Sequence, residues 1–250
     1  MYGYGYGYSL GSILGPIIMG IVMVVLVVVA LIVLGKVLSM RRGGAKNRMV
    51  SDFSMRGKTP EQKRIVKYFL ATGCLAAIFR ISDSEFDQIL TNKVSQYDIY
   101  QMALDRLGLD PEQVREINPI FLDGYVRTSM LQRIGNDLVP RSAEYSLTCL
   151  LFSENQLYRY TFMFSLAKGD TWEYSEEYFY KDVTSVSVIK ENDEQKYISG
   201  CLGLDLTRVN VITPQLKLVV PGTHFTCAMR EEHEVNVLGM IAKLREKKER

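Results

Sequence analysis

The pattern of hydrophobic positions changes twice along this chain of 250 residues. An unbroken apolar run fills 13–34, apolar residues with helical spacing follow from Thr59, and alternation with a period of two begins at Ala143. These patterns predict one long apolar helix, then a small helical region, then an antiparallel β domain closed by a final helix. The expected fold class is therefore α+β.

The apolar run contains no charged residue and is about 22 residues long, or roughly 33 Å as a helix, which matches the ~30 Å hydrocarbon core of a bilayer. We therefore predict a single transmembrane helix over 13–35. No side chain that is charged at neutral pH precedes it, so a cleaved secretory signal is not favoured. Basic residues follow it closely and are predicted to contact anionic headgroups: Lys36, Arg41, Arg42, Lys46 and Arg48. By the positive-inside rule, the N-terminus is outside the cell membrane and the C-terminal part is cytoplasmic.

Two low-complexity segments flank the predicted span. Residues 1–12 form a Tyr/Gly-rich outer tail whose tyrosines suit the headgroup layer, although self-association through stacked tyrosines is an alternative. Residues 36–58 combine Gly43, Gly44 and Gly57 with many basic residues and little apolar periodicity. They are predicted to be a basic flexible linker.

The overall charge of +2 hides two opposite blocks. Residues 36–80 carry 11 basic and two acidic residues, and 81–250 carry 19 basic and 26 acidic ones. The first block can hold to anionic lipid. The acidic second block should be repelled by the same surface, which argues against broad binding of anionic lipid headgroups or nucleic acid by the distal domain but leaves room for a small basic pocket.

Helix-start signals divide 59–139, the predicted helical region. They occur at Thr59-Pro60-Glu61-Gln62, at Ser82-Asp83-Ser84-Glu85 and at Asp110-Pro111-Glu112-Gln113, and a further helix is expected over 95–107. Acidic residues at these starts are expected to offset the helix dipole, not to form a catalytic pair. The apolar stretch Tyr68–Phe79 is too short for a second span, so a buried or interfacial helix is expected.

Short strands with regular spacing are predicted through 140–250. They begin with a hairpin that turns at Ser153-Glu154-Asn155 and continue near 172–180, 183–190, 196–204, 207–213, 215–220 and 223–229. This spacing is typical of a sandwich or barrel. A helix over Glu231–Lys248 is expected to bury one apolar stripe, made of Val235, Leu238, Ile241 and Ala242.

The hairpin Leu147–Tyr158, the segment Tyr178–Val188, the later strands and the terminal amphipathic helix resemble a bacterial pleckstrin-homology-like (PH-like) domain over about 140–250. The resemblance implies a seven-stranded sandwich with the helix plugging one open corner, in a domain class that binds proteins, peptides or lipid headgroups. Only Arg159 and Lys168 lie near the turn between the first two strands. The resemblance therefore implies protein binding rather than phosphoinositide recognition.

Residues that could support enzyme chemistry are sparse. The chain has two histidines and lacks Gly-x-Ser-x-Gly, phosphate-loop and His-Glu-x-x-His motifs. Cys201, between Gly200 and Gly203, is expected to be a buried thiol in a turn or bulge. His224 and Cys227 would point to opposite faces of a strand, which disfavours a metal site with His233. We therefore expect no cofactor, no metal and no enzymatic activity.

The aromatic residues Tyr158, Tyr160, Trp172 and Tyr174 form the candidate partner-binding surface, because strand alternation cannot turn all of these rings inward. The sequence thus favours a membrane-anchored protein that presents a cytoplasmic docking or scaffolding module. Two alternatives stay open: a membrane-tethered enzyme acting through Cys201 or an acidic pair, and a sensor of anionic lipid using the linker and Tyr68–Phe79.

Overall fold

The computed structural model describes residues 23–32, 55–70, 80–199 and 205–248, with the backbone alone for 193–199 and 205–211. The chain divides into two compact units, Met1–Ser54 and Met55–Arg250. In the first unit, 23–32 are helical and exposed. Within the described ranges, no helix combines the length and the apolar character needed to cross a bilayer. The outer tail, most of the predicted span 13–35 and the linker up to residue 54 lie outside the described residues and stay predictions.

Among the described residues of the second unit, three helices come first: α1 (Pro60–Leu70), α2 (Asp83–Val94) and α3 (Ile99–Leu107). A 3-10 turn follows at Pro111–Val114. Ser82 caps α2 as predicted, by accepting the Glu85 N–H at 3.1 Å. The third helix starts later than the predicted residue 95, because the Asp98 side chain accepts the Gln101 N–H and fixes the start at Ile99. Residues 71–79 of the predicted Tyr68–Phe79 helix lie outside the described part of the chain.

Nine strands and a final helix follow among the described residues of this unit. They are β1 (Ile120–Tyr125), β2 (Gln132–Ile134), β3 (Pro140–Ser142), β4 (Glu144–Phe152), β5 (Gln156–Ser165), β6 (Thr171–Phe179), β7 (Ser185–Ser199), β8 (Asp205–Val220), β9 (Thr223–Ala228) and α4 (Glu234–Lys248). All pairings between strands are antiparallel. The sheets have the orders β1-β4-β5-β6, β2-β3 and β7-β8-β9. The chain is thus α+β with antiparallel sheets and a C-terminal helix, as predicted.

The predicted boundary of the helical region, 59–139, is wrong. The strand β1 begins at Ile120 and pairs along its length with β4, and the hairpin β2-β3 lies between these two strands in the sequence. The period-two signal is weak here because polar Asp123 and Gly124 interrupt β1. Helices and strands belong to one compact unit, Met55–Arg250.

The four strands predicted between 183 and 220 merge into two long ones. The exposed polar residues Glu191 and Asn192 suggest a turn in the sequence, yet β7 continues through them. Pro214 lies inside β8 opposite Lys190, one residue before the pairing of β8 with β9 begins at Gln215. Because one side of β8 is open at Pro214, the missing N–H is tolerated there.

One hydrophobic cluster joins the four-stranded sheet, the three-stranded sheet and α4. Its members include Leu122, Leu150, Phe152, Leu157, Leu216, Leu218, Phe225, Met240 and Leu244. The sheets also touch through aromatic rings, with Tyr178 of β6 stacked on Phe225 of β9 at 5.3 Å. This core is compatible with a β-sandwich.

The opposite face of the four-stranded sheet is covered by the helical region. The ring of Tyr97, just before α3, lies 4.6 Å from that of Phe162 and 5.5 Å from that of Phe164. Both faces of β5 are therefore buried.

A buried arginine ties the hairpin β2-β3 to α2. Arg141 is 3% exposed and donates to both carboxylate oxygens of Asp87 at 2.7 Å. It also donates to both oxygens of Asp137, at 2.8 and 2.7 Å. The acidic residues of α2 therefore do more than offset its dipole: they anchor a hairpin that is distant in sequence.

Candidate functional site

The helix α4 carries two apolar faces, and only one of them is buried. Its buried residues are Val237, Met240, Ile241 and Leu244. Val235 is 77% exposed and Leu238 is 53% exposed, and Ala242 is also exposed. The predicted buried stripe is therefore wrong for Val235, Leu238 and Ala242 and right for Ile241. Both sets have helical spacing, so periodicity alone could not choose between them.

The exposed apolar face of α4 lies beside an open strand edge. In the order β7-β8-β9, the strand β7 pairs with β8 alone among the described strands. Alternate backbone N–H and C=O groups of an edge strand point away from the sheet and can pair with another strand. Val186 and Val188 of this strand are half-buried and pack against the core.

A groove runs between β7 and α4. A hollow of about 500 Å³ between the first half of the helix and the strand is lined by Val188, Leu238 and Ala242, among others. A second hollow of about 200 Å³ shares Val186, Ile241 and Arg245 with it and continues to Leu244 and Lys248. A third, of about 570 Å³, adjoins at Tyr180 and Lys248. The helix is 15 residues long, so the groove extends roughly 22 Å along it.

The two ends of the groove differ in charge. At the start of α4, Lys190 pairs with Glu234 at 3.0 Å, which also raises the pKa of the lysine. At its far end, Lys247 pairs with Glu116 at 2.8 Å. Among the described residues no carboxylate pairs with Arg245 or Lys248, both of which line the groove. The far end is therefore positively charged.

Two of the four predicted partner-binding aromatics are buried. Tyr158 is 7% and Tyr160 1% exposed, so they present no surface to a partner, and this part of the prediction is wrong. The reason is the position of β5, which is paired on both edges and covered on both faces. Burial raises the pKa of Tyr160 to about 12, with help from the nearby Glu173 carboxylate.

Trp172 and Tyr174 of β6 are 36% and 49% exposed. Both lie on β6, an edge strand of the four-stranded sheet, and their role in partner binding stays a prediction. The predicted lipid-contacting residues Lys36, Arg41, Arg42, Lys46 and Arg48 lie outside the described residues.

The histidine–carboxylate cluster at the start of α4 has the residue types of a catalytic site, but its side chains are hydrogen-bonded to one another. Asp123 accepts the Tyr145 hydroxyl at 2.5 Å, the Arg230 guanidinium at 3.0 Å and His233 Nε2 at 3.2 Å. The Arg230 N–H donates to His233 Nδ1 at 3.3 Å. With both ring nitrogens engaged, this histidine has no free lone pair for proton abstraction. The cluster instead joins β1 and β4 to the turn before α4.

The cysteines of the described region are inert. Burial raises the pKa of Cys149 to about 12 and that of Cys227 to about 11, so neither thiol ionises at neutral pH. Cys201 lies outside the described residues. His224 is exposed and Cys227 is buried, as their odd spacing predicts. No group of three or more metal-ligand side chains occurs among the described residues.

Comparison with models of protein families, with curated proteins and with solved structures finds no match for this chain. The groove between β7 and α4 is therefore the feature of this chain that best indicates a function. Sequence reasoning missed it because strand pairing decides which strand is left at an edge, and packing decides which apolar face of α4 is covered.

Proposed function

We propose that this chain is a non-enzymatic, single-pass membrane protein whose unit Met55–Arg250 docks an extended segment of a cytoplasmic partner protein in the groove between β7 and α4. The observation that carries the proposal is the exposed apolar face of α4, with Leu238 and Ala242, alongside the open edge of β7. Exposed apolar side chains that line a concave surface are typical of an interaction site.

The edge and the helix would recognise different parts of the bound segment. Outward backbone groups of β7 would hydrogen-bond an added strand, which supplies affinity that does not depend on sequence. Every second side chain of that strand would then face the helix and rest on Leu238 and Ala242. The partner segment should therefore carry apolar residues at alternate positions.

Charge selects one further feature of the partner. Arg245 and Lys248 line the far end of the groove, and no described carboxylate pairs with either of them. An acidic side chain or a terminal carboxylate on the bound segment would complement them, most strongly through a bidentate contact with the guanidinium. We therefore infer an apolar, acidic segment as the occupant.

The resemblance to PH-like domains supports the same function. Apart from the β2-β3 hairpin, six strands (β4 to β9) and the closing helix lie within the resembling residues 140–250, and β1, which precedes that range, completes an order of four strands then three. That order fits the seven-stranded architecture which the resemblance implies, in domains that bind proteins or peptides. The broad, shallow shape of the groove favours docking over an enclosed catalytic pocket.

The membrane part of the proposal rests on the sequence. The apolar run at 13–34, with no charge before it and five basic residues soon after, supports an N-outside, C-inside anchor. The anchor would hold the groove at the cytoplasmic face.

A peptide-display experiment tests the docking function. A library of random 12-residue peptides is panned against the full chain in lipid nanodiscs, and selected peptides are then measured by titration. We expect alternate apolar residues with at least one acidic residue, and binding in the micromolar range that is usual for short peptides. Hydrogen exchange should show new protection of β7 amides, since strand addition hydrogen-bonds them.

Leu238→Asp should abolish this binding, and Met130→Asp is the matched control because Met130 is also about half exposed, at 52%, and lies outside the groove. Equal binding by the two variants, or protection confined to another strand, would refute the proposed site.

A further inference from the structure

The hairpin β2-β3 exposes apolar side chains at its tip. Leu138 is 58% exposed and the adjacent Val139 is 43% exposed. Leu138 is also the one described residue other than glycine with a positive φ, at 63°. An L-residue with a branched side chain rarely adopts that conformation. Exposure to water does not stabilise the apolar side chain of Leu138 either.

This tip is held firmly in place. The Asn136 N–H donates to Asp83 Oδ2 at 2.7 Å, and the Val139 N–H donates to Asp137 Oδ1 at 3.1 Å. Asp137 in turn accepts from the buried Arg141. The exposure of Leu138 is thus fixed by contacts from α2 and β3, as in a pre-organised contact surface.

Two arginines lie behind the tip. The Arg133 guanidinium is 5.3 Å above the Tyr68 ring and donates to the Tyr68 carbonyl at 3.2 Å, while its buried Nε has no hydrogen-bond partner. Burial, and next the nearby positive charge of Arg80, lower the pKa of Arg133. Of the carboxylates close by, Asp137 is paired with Arg141, while Asp83 accepts the Tyr68 hydroxyl at 2.7 Å and offsets part of the repulsion on Arg133. An anionic surface would relieve the repulsion between the two arginines.

Contacts also connect the first described residues of this unit to the base of the hairpin. Hydrogen bonds connect the base of the hairpin to the residues after β5. The Ala143 N–H donates to Leu131 O at 3.0 Å across the base, and the Leu166 N–H donates to Ala143 O at 2.8 Å. The Lys58 ammonium donates to Ala167 O at 2.8 Å. The first residues of this unit are therefore attached beside the hairpin.

We propose that this end of the unit rests on the anionic cytoplasmic surface of the bilayer, with Leu138 and Val139 inserted among the lipid headgroups and the positive charges of Arg80 and Arg133 behind them attracting lipid phosphates. The inference rests on the membrane anchoring in the proposed function. It assigns a surface separate from the docking groove, and it would fix the orientation in which the groove is presented. Apolar side chains at the headgroup boundary with basic residues behind them are typical of proteins that lie on a membrane.

Single-tryptophan reporters test the proposal in the full chain. Trp172 is the one tryptophan of the sequence, so a Trp172→Phe background is silent. Reporters are placed by Leu138→Trp at the tip, Leu238→Trp in the groove and Val27→Trp in the predicted span. Each variant is reconstituted in nanodiscs with or without brominated lipid chains.

The tip reporter should lose about half of its fluorescence to bromine, because a side chain roughly 5–10 Å into the headgroup and acyl boundary lies within reach of the quencher. The groove reporter should be unaffected. Val139→Trp repeats the measurement at a residue without positive φ. Replacing anionic by zwitterionic lipid should reduce the quenching of the tip reporter, and unchanged quenching would overturn the role of the two arginines.

The span reporter separates the two possible failures. If Val27→Trp is quenched while both tip reporters keep a water-exposed, unquenched spectrum, the bilayer contact is refuted and the anchor stands. If Val27→Trp is also unquenched, the anchor itself is refuted. If the tip reporters are quenched while Val27→Trp is not, the unit contacts the membrane peripherally and the chain has no span at 13–35.

Discussion

A Cβ atom placed on Gly124 of β1 would lie 2.9 Å from the Cβ of Ala228, at the end of β9. Backbone atoms of Ala228 and Met229 would lie 3.3 Å away, so the neighbouring strand could not yield by turning a side chain. The two larger sheets therefore meet here at a distance that only glycine allows.

Gly124→Ala should consequently lower the free energy of unfolding by about 2 kcal/mol, the cost typical of overpacking a core. Urea unfolding of the full chain in detergent, followed by Trp172 fluorescence, measures this value. A loss below about 0.5 kcal/mol, the range of ordinary surface substitutions, would contradict the close contact.

Gly239→Ala is the matched control, and we expect the opposite sign. Gly239 lies inside α4, and an added Cβ meets nothing within 4 Å. The methyl group should stabilise the helix by about 0.5–1 kcal/mol, because glycine loses more backbone entropy on folding than alanine does. The same urea titration gives the comparison. Destabilisation would mean that the surface of α4 at Gly239 is not open to solvent in the purified protein.

Arg141→Met should destabilise the unit by about 2 kcal/mol or more, because it leaves Asp87 and Asp137 without their shared partner. The side chains of both aspartates are nearly half exposed, which limits the loss. Arg245→Met serves as the control and should change the free energy of unfolding by less than about 0.5 kcal/mol, since the residue is exposed. Equal effects of the two substitutions would show that the buried ion pairs contribute no net stability.

Stability should fall in acid, and Asp137 should account for part of the fall. The hydrogen bonds from Arg141 lower the pKa of this carboxyl to about 2, against about 3.9 in an unfolded chain. A depressed folded-state pKa adds stability that is fully present above about pH 5 and is lost as the pH falls toward 2. Urea midpoints across that interval should drop less steeply in Asp137→Asn than in the natural chain. Parallel curves would exclude Asp137 as a source of the acid sensitivity.

Cys149 and Cys227 should resist alkylation at pH 8 in the folded protein, because burial both excludes the reagent and raises the pKa of each thiol. Peptide mass mapping after iodoacetamide treatment reads each cysteine separately. Both should become labelled in denaturant. Labelling of Cys149 or Cys227 without denaturant would indicate that the core opens readily or that one thiol is reactive.

A reporter fused to the C-terminus should be protected from external protease in intact cells and digested after the membrane is permeabilised. This outcome follows from the basic residues after the apolar run. Digestion in intact cells would reverse the predicted topology, and the cytoplasmic docking proposal would fall with it.

Local signals in the sequence predicted the elements that local interactions determine. The helix starts at Ser82 and Asp110 and the hairpin around Ser153-Glu154-Asn155 depend on residues a few positions apart, and they occur as predicted. The fate of an apolar stripe depends on what packs against it. That is why the sequence could not reveal that Val237 would be buried and Val235 exposed, or that Tyr158 would be covered on a central strand. Arg141 gave no signal, because its partner Asp87 is 54 residues away.

Because the edge of β7 is open, the groove must also discriminate against extended chains other than its partner segment. An unpaired strand edge can add any extended chain, including the same strand of a second copy, so such an edge is also a route to aggregation. Lys190 and Glu191 are exposed on this strand. A segment that pairs with β7 must accommodate both of these charges. Discrimination among competing chains therefore depends more on their charge pattern than on the contact area.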